Sequence, residues 1–331
     1  MEKMKALLVD DSNQESVMIL GECQKPEPAA HELLVKIEAT ALNRADLMQK
    51  AGKYPPPKGV TPILGLEMAG IVEKVGKDVE GFEAGDSVFG LLPGGGYAEY
   101  CVIHAGHAMK IPDGISFEEA AGIAEVFLTA YQAVIWLGEL APKETILIHA
   151  GASGVGTAAI QLARELKQAR IITTAGSEEK CSLTAGLGAD LCMNYKEENF
   201  ADSLEETFGK NCVDVIIDFV GPPYWDKNMR ILGMDGRLIY LAILGGAKVE
   251  KMSLVPILRK RLTVRGSTLR NRDDEYKTRL TKAFHNDAAE LFKHNRMKPV
   301  IDTIFDWEEV EEAHSRMANN LNAGKIILTG M

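Results

Sequence analysis

Apolar and polar positions follow two different periods in the middle of the chain. Short apolar runs occupy residues 145–150, 170–175, 213–219 and 236–241, and turn-forming residues bound each of them. Between the runs lie segments with apolar residues at helical spacing, such as residues 157–167. Buried strands that alternate with helices are typical of a parallel sheet covered by helices on both faces. The pattern therefore predicts an α/β fold with a doubly wound parallel sheet.

The first third of the chain has a different pattern. Apolar runs at residues 33–39 and 70–75 are separated by dense glycine and proline, which predicts short strands in a small barrel or sandwich. The other predicted elements are helices over residues 118–137 and 271–295 and strands at residues 300–305 and 325–329. A length of 331 residues favours two domains.

Composition limits the classes of function. The formal net charge of −10 repels phosphate backbones, so a nucleic-acid partner is not expected. No apolar run reaches the ~18 residues that a membrane span needs. The first residues lack the apolar core of a signal peptide, so we expect a cytoplasmic protein without a membrane partner. The five cysteines lack a Cys-x-x-Cys spacing, which predicts free thiols in a reducing compartment.

A glycine-rich turn joins the first predicted strand of the parallel sheet to its helix. Gly151 allows a tight exit from the strand, Gly154 lets the backbone approach a pyrophosphate, and Gly156 allows close contact between helix and sheet. Free N–H groups at the start of the helix attract anions. The strand, turn and helix together predict a dinucleotide-binding site.

The end of the second strand indicates which dinucleotide binds. NAD sites usually place an acidic residue there, whereas residues 173–177 contain none. Ser177 can donate a hydrogen bond and Lys180 supplies a positive charge for a 2′-phosphate. Glu178 and Glu179 weaken the preference for NADPH unless their side chains face solvent. The sequence favours NADPH over NADH.

Five segments, taken in order, resemble a known family. They are residues 41–48, 65–70, 92–98, 149–156 and 324–327. The series is similar to the zinc-independent medium-chain dehydrogenases/reductases of the zeta-crystallin-type quinone oxidoreductase group, above all to its tumour-suppressor-induced branch. The resemblance covers essentially the whole chain. It implies a GroES-like β-rich catalytic domain at residues 1–126, completed by residues 268–331, and a Rossmann NADP-binding domain at residues 127–267.

The positions that bind zinc in related enzymes differ here. Zinc-dependent relatives place a cysteine near Asn43 and a histidine at Leu66, which is followed by Glu67. Leucine cannot ligate a metal and an amide oxygen is a poor zinc ligand, so we expect no metal site. Without a strong Lewis acid, alcohol oxidation is disfavoured. A quinone needs less activation, because it accepts electrons readily.

The resemblance also assigns roles to individual residues. It implies catalytic roles for Tyr54, as a hydrogen-bond donor or aromatic wall, and for Asn43. Asp46 is a weaker candidate, because a carboxylate so near Arg44 is often only a salt bridge. The cofactor contacts implied by the resemblance are Thr129, Ser153, Gly154, Val155, Gly156, Gly176, Ser177, Lys180, Tyr195, Gly245, Gly246, Thr268, Leu269 and Lys325. For His149 we expect a structural role, with the ring satisfied by nearby backbone.

These observations leave three hypotheses for function. The first is an NADPH-dependent quinone oxidoreductase that acts on ortho-quinone-like acceptors without metal. The second is an NADPH-dependent 2-enoyl or alkenal reductase, which would take a conjugated carbonyl substrate. The third is an NADPH-binding structural or regulatory protein with little turnover. The group is usually dimeric or tetrameric, and residues 261–267 are a candidate edge strand for such pairing. The sequence leaves open the physiological acceptor and whether one or two electrons move in each step.

Overall fold

The computed structural model describes residues 2–12 and 16–331, and these contain fifteen strands and ten α-helices. The strands are β1 (Lys3–Asp10), β2 (Val17–Gln24), β3 (Glu32–Ala41), β4 (Glu67–Val75), β5 (Ser87–Leu91), β6 (Tyr100–His104), β7 (Ala108–Lys110), β8 (Thr145–Ile148), β9 (Arg170–Ala175), β10 (Leu191–Asn194), β11 (Val213–Asp218), β12 (Leu232–Tyr240), β13 (Thr263–Gly266), β14 (Ile301–Asp306) and β15 (Lys325–Thr329). The helices are α1 (Arg44–Lys50), α2 (Phe117–Ala121), α3 (Ala124–Tyr131), α4 (Gly154–Lys167), α5 (Glu178–Gly186), α6 (Phe200–Phe208), α7 (Trp225–Ile231), α8 (Val255–Lys260), α9 (Asp274–Lys293) and α10 (Val310–Ala318).

The chain divides into two compact units. The β-rich unit comprises Met1–Leu128 and Leu269–Met331, and the parallel-sheet unit comprises Thr129–Thr268. Each unit has its own core of buried apolar side chains. None of the helices in the described ranges is both long and apolar enough to cross a membrane.

The parallel-sheet unit is built as the apolar runs predict. Its strands lie in the order β10-β9-β8-β11-β12-β13, and every neighbouring pair among them is parallel. All four residues of β8 are buried, because helices cover the sheet. Both central strands, β8 and β11, end at the same edge of the sheet, where the loops to α4 and α7 begin. The prediction of a doubly wound parallel sheet is confirmed.

The β-rich unit contains a mainly antiparallel sheet. Its described strands lie in the order β14-β15-β3-β4-β5-β7, and β6 pairs with β3. Strand β15 pairs antiparallel with β3, so that Ile327 lies opposite Ala41. This pairing brings the C-terminal segment against the N-terminal strands. The unit matches the expectation of a β-rich, GroES-like domain.

Two sequence predictions need correction. The helix predicted over residues 118–137 is interrupted, because α2 ends at Ala121 with Gly122 as its C-cap. Helix α3 then starts at Ala124 and continues as a π-helix from Gln132 to Leu137. The prediction of five free thiols is wrong for Cys181 and Cys192, which form a disulfide with their Cα atoms 5.3 Å apart. Cys181 lies in α5 and Cys192 in β10, so the bond joins this helix to the strand that follows it. Cys23, Cys101 and Cys212 are free.

Candidate active site and cofactor site

The start of α4 forms the first part of the candidate cofactor site. Strand β8 ends at Ile148 and α4 begins at Gly154, with Ser153 as the N-cap residue. The Ser153 side chain accepts a hydrogen bond of 3.1 Å from the Gly156 N–H. The other N–H groups of the first turn have no partners within the helix, so they point their positive ends out of its N-terminus. Such a helix start binds anions.

The first turn of α4 leaves no room for a side chain at Gly156. A Cβ atom on Gly156 would lie 2.5 Å from the Ala150 carbonyl oxygen and 2.6 Å from that of Gly151. Both neighbours are backbone atoms that cannot move aside. Ser153, Gly154 and Val155 are half-buried and can be reached from solvent. The turn therefore fits a pyrophosphate held by backbone N–H groups.

The end of β9 forms a second part of the same site. Ser177 caps α5 and accepts a hydrogen bond of 3.3 Å from the Lys180 N–H. A Cβ atom on Gly176 would lie 2.7 Å from the Tyr195 hydroxyl, so this ring lies directly against the glycine. Lys180 is half-buried in the first turn of α5. The residues expected around the adenosine phosphate thus lie together.

Five further predicted cofactor residues are distributed over the two units. The Thr129 hydroxyl, at the start of the parallel-sheet unit, is buried and has no hydrogen-bond partner among the described residues. Gly245 and Gly246 lie in the turn after β12, where Gly246 has a φ of 126°. Thr268 is exposed. Leu269 is buried in the β-rich unit. A buried hydroxyl without a partner is costly, so Thr129 favours an additional polar group at this place.

A buried polar cluster lies where β15 meets the start of α1. The Lys325 ammonium donates to the Leu42 carbonyl at 2.6 Å, to Glu67 Oε1 at 2.7 Å and to Asn43 Oδ1 at 2.9 Å. The Asn43 amide nitrogen donates to Glu67 Oε1 at 2.8 Å. An ammonium has three N–H groups, so all of them are used here. Lys325 thus orients Asn43, and its expected contact with the cofactor stays a prediction.

Asp46 belongs to the same buried region. Its carboxylate accepts hydrogen bonds from the Asn43 N–H at 2.7 Å and the Gly65 N–H at 3.1 Å. Burial raises the pKa of this carboxyl to about 6, although the two N–H donors act against the shift. The expected salt bridge to Arg44 is wrong, because the Arg44 guanidinium donates to Asn320 Oδ1 at 2.7 Å.

Tyr54 lies close to two titratable residues that sequence reasoning missed. The Arg270 guanidinium carbon is 5.4 Å from the centre of the Tyr54 ring. Burial raises the pKa of the Tyr54 phenol, so the phenol keeps its proton at neutral pH. Glu125, in the first turn of α3, donates its backbone N–H to Glu67 Oε2 at 2.8 Å. Burial and the Glu67 charge raise the pKa of the Glu125 carboxyl to about 8.

His149 has the structural role that its position predicts, but with different partners. Its ring nitrogens lie 3.1 Å from Thr174 Oγ1 and 2.9 Å from Asn228 Oδ1. The partners are therefore side chains and not backbone groups. The Asn228 amide donates to the buried Asp218 carboxylate at 2.8 Å, and Asp218 also accepts from the Val220 and Gly221 N–H groups. This network fixes the loop after β11.

Comparison with known protein families agrees with both units. Residues 29–113 match the alcohol dehydrogenase GroES-like domain, and residues 154–286 match the zinc-binding dehydrogenase domain. The chain is 31% identical over 310 residues to the quinone oxidoreductase of Homo sapiens, which covers 92% of this chain and 90% of the relative. The chain belongs to the quinone oxidoreductases of the medium-chain dehydrogenase/reductase family. It is also 30% identical to the synaptic vesicle membrane protein VAT-1 homolog of Danio rerio, matching 92% of this chain and 65% of that relative.

Solved structures of family members have the same fold. The quinone oxidoreductase from Coxiella burnetii superposes with a TM-score of 0.82 at 28% identity, covering all of both chains. A mycobacterial protein in complex with NADPH has a TM-score of 0.84 at 27% identity, covering 99% of this chain and 100% of that one. The CurK enoyl reductase has a TM-score of 0.84 at 25% identity, covering 99% of both chains.

The residues at the positions of the family's zinc ligands do not fit a zinc ion in this member. Leu66 is buried and offers no ligand atom, and the Lys325 ammonium already lies between the oxygens of Asn43 and Glu67. A positive charge at this place repels a second cation. Within residues 2–12 and 16–331, no group of three or more His, Cys, Asp or Glu side chains could hold a metal ion.

Proposed function

We propose that this oxidoreductase reduces small quinones with NADPH and without a bound metal. The observation that carries the proposal is the cofactor site of the parallel-sheet unit. Its glycine-rich turn leaves no room for a side chain at Gly156. Residues 173–177 at the end of β9 contain no acidic residue, Lys180 follows in the first turn of α5, and the intervening Glu178 and Glu179 are exposed. Relatives named quinone oxidoreductase support the acceptor, and a neighbour bound to NADPH supports the cofactor.

Different residues would bind the cofactor and donate a hydrogen bond to the acceptor. When bound, NADPH supplies a hydride from its nicotinamide ring. The first turn of α4 would hold the pyrophosphate, while Lys180 and Ser177 would bind the 2′-phosphate beside the Tyr195 ring. Reduction of a quinone to a hydroquinone takes up one hydride and one proton. The Tyr54 phenol can donate a hydrogen bond to the acceptor oxygen, since it stays protonated at neutral pH.

The buried polar cluster would hold the candidate catalytic residue Asn43 in place. Lys325 and Glu67 hold the Asn43 amide from both sides, so that its orientation is fixed. Glu125 is half-buried, and its raised pKa keeps a proton available near Tyr54 at neutral pH. No metal is needed for these steps, because the acceptor is itself electrophilic.

A second candidate is an NADPH-dependent reductase of conjugated enoyl or alkenal substrates. The structural similarity to the CurK enoyl reductase favours it. The chemistry is related, because a hydride adds to one carbon of the conjugated system and a proton to its neighbour. The two candidates therefore differ in the acceptor and not in the cofactor site.

The test follows cofactor oxidation with 1,2-naphthoquinone as the acceptor. Purified protein is mixed with NADPH or NADH in the presence of EDTA, and the loss of absorbance of the reduced cofactor is recorded. We expect rapid oxidation of NADPH, slower oxidation of NADH and no effect of EDTA. Turnover of enoyl thioesters or alkenals without turnover of quinones would instead select the second candidate. Tight NADPH binding without any turnover would select a binding protein.

A further inference from the structure

The β-rich unit contains a cavity of about 720 Å³ with an excess of positive charge. Three of its lining residues, Arg270, Arg272 and Lys277, are cations from the start of the C-terminal segment. The acidic lining residues are Glu32 and Asp274, and the Asp274 side chain is 69% exposed. A cavity of this size accommodates a small organic molecule.

The Arg270 side chain is buried, but most of its guanidinium N–H groups have no acceptor in the described part of the chain. The residue is only 5% exposed, and its Nε donates to the Pro93 carbonyl at 2.8 Å. Its Nη1 and Nη2 atoms have no hydrogen-bond partner among the described residues. Four of the five guanidinium N–H groups are therefore buried without an acceptor. Such a group costs free energy unless a further acceptor satisfies it.

The neighbouring acids do not hydrogen-bond this guanidinium. Asp46 and Glu125 act on Arg270 only through space, and its Nη1 and Nη2 atoms stay without an acceptor within the described ranges. Lys277, in the first turns of α9, is 6% exposed and also lines the cavity. Burial lowers the pKa of Lys277, as it does for Arg270. Two buried cations thus share one wall of the cavity.

We propose that this cavity binds a small aromatic anion, a carboxylate or sulfonate, through the Nη1 and Nη2 atoms of Arg270 with support from Lys277. The planar guanidinium can form two parallel hydrogen bonds to such a group. The half-buried Tyr54 ring lies over the guanidinium, with its centre 5.4 Å from the guanidinium carbon. Because Tyr54 is also the candidate catalytic residue, the preferred acceptors would be quinones that carry an anionic substituent. This last step rests on the proposed function, whereas the binding step does not.

Binding is measured first, without NADPH. Calorimetric titration with benzoate is compared with titration by benzyl alcohol, which has the same ring and no charge. We expect benzoate to bind and benzyl alcohol to bind at least about tenfold more weakly, as loss of a charge-assisted hydrogen bond predicts. Arg270→Met and Lys277→Met should each weaken benzoate binding. Arg259→Met, which removes the same charge from an exposed position, should not.

Equal binding of benzoate and benzyl alcohol by the wild type would overturn the proposal, and so would unchanged benzoate binding in a folded Arg270→Met variant. If that variant does not fold, Lys277→Met and the comparison of the two probes decide the question. Folding is checked by circular dichroism.

Turnover is measured second, with 1,2-naphthoquinone-4-sulfonate and 1,2-naphthoquinone. We expect the ratio of their kcat/KM values to favour the sulfonate and to fall about tenfold in Arg270→Met. The effect of Arg270 on this ratio separates binding from the greater reactivity of the sulfonated quinone. If benzoate binding depends on Arg270 but neither quinone is reduced, the proposed function fails and the anion site stands. If both quinones are reduced with a ratio that Arg270 does not affect, and benzoate does not bind, the anion site fails and the proposed function stands.

Discussion

The Lys325 ammonium lies 2.7 Å from the Glu67 carboxylate, and both side chains are buried. The two residues come from β15 and β4, which are neighbours of β3 on opposite sides. A buried ion pair of this kind is held in place by further hydrogen bonds, here from Asn43 and the Glu125 N–H to Glu67. The pair therefore connects strand β4 and the C-terminal strand β15 to the candidate catalytic residue Asn43.

Replacing Lys325 by Met should destabilise the protein strongly. The Glu67 charge would stay buried without its partner, which typically costs about 3–5 kcal/mol. Urea unfolding measures the change in the free energy of unfolding. Lys36→Met is the matched control, because Lys36 forms an exposed ion pair with Glu38 and its loss should cost less than about 1 kcal/mol. The double variant with Glu67→Gln should recover part of the loss, and equal stabilities of Lys325→Met and the wild type would contradict the prediction.

This ion pair shows what sequence reasoning could not find. The turn at residues 151–156 was predictable, because its strand, glycines and helix are adjacent in the chain and obey local rules. Lys325 and Glu67 are 258 residues apart, and only the pairing of β15 with β3 brings them together. Arg270 offers no local signal either, since an arginine in sequence gives no indication that its guanidinium is buried.

The disulfide was missed for a related reason. Cys181 and Cys192 are separated by 11 residues, a spacing that corresponds to no known motif. Their approach depends on how α5 lies against β10, which is a matter of tertiary packing. In the same way, the break at Gly122 divides a segment whose apolar pattern is continuous. The local sequence pattern thus predicted the fold type of each unit, but it did not predict the tertiary contacts within the unit.

Gly156→Ala should damage the cofactor site directly. The new Cβ atom would lie within 2.6 Å of two backbone carbonyl oxygens, so the turn must distort by an amount that costs about 1–3 kcal/mol. We expect weaker NADPH binding, measured by fluorescence titration, together with a lower Tm. Gly186→Ala is the control, because its Cβ would meet no atom within 4 Å. That variant should bind NADPH normally and unfold at the same or a slightly higher temperature. Wild-type NADPH affinity in Gly156→Ala would be incompatible with the proposed pyrophosphate cradle.

Lys180→Ala should narrow the preference for NADPH over NADH. Loss of a charged hydrogen bond to the 2′-phosphate would weaken NADPH binding about tenfold or more and leave NADH almost unaffected. Dissociation constants for the two cofactors, measured in the same buffer, give the ratio directly. Lys210→Ala removes an equal charge from an exposed position and should leave the ratio unchanged. If the ratio of the two dissociation constants were identical in Lys180→Ala and the wild type, Lys180 would not contact the 2′-phosphate.

Glu125 should make stability depend on pH between its unfolded and folded pKa values. The folded value is raised from 4.5 to about 8, so the native state binds the proton more tightly than the unfolded chain. The contribution of this group to stability is full below pH 4.5 and is lost as the pH rises through about 8. In Glu125→Gln this dependence disappears. We therefore expect the Tm of the variant to fall less than that of the wild type between pH 5 and pH 9, as measured by scanning calorimetry. Parallel Tm profiles would refute the assignment.

Strand β13 provides the last prediction, which concerns assembly. It is an edge strand of the parallel sheet, because among the described strands it pairs only with β12. Val264 on this strand and Leu258 on the preceding helix are exposed, Leu258 to 82%. An open edge with apolar side chains beside it favours pairing with a second copy around a two-fold axis.

We propose that the protein forms at least a homodimer through this edge, so light scattering should give a mass of at least twice 36.1 kDa. Val264→Lys should shift the mass towards one chain, whereas Leu321→Lys, at an exposed position of the β-rich unit, should not. A wild-type mass of one chain at micromolar concentration would exclude the dimer, and a Val264→Lys mass equal to that of the wild type would place the interface elsewhere.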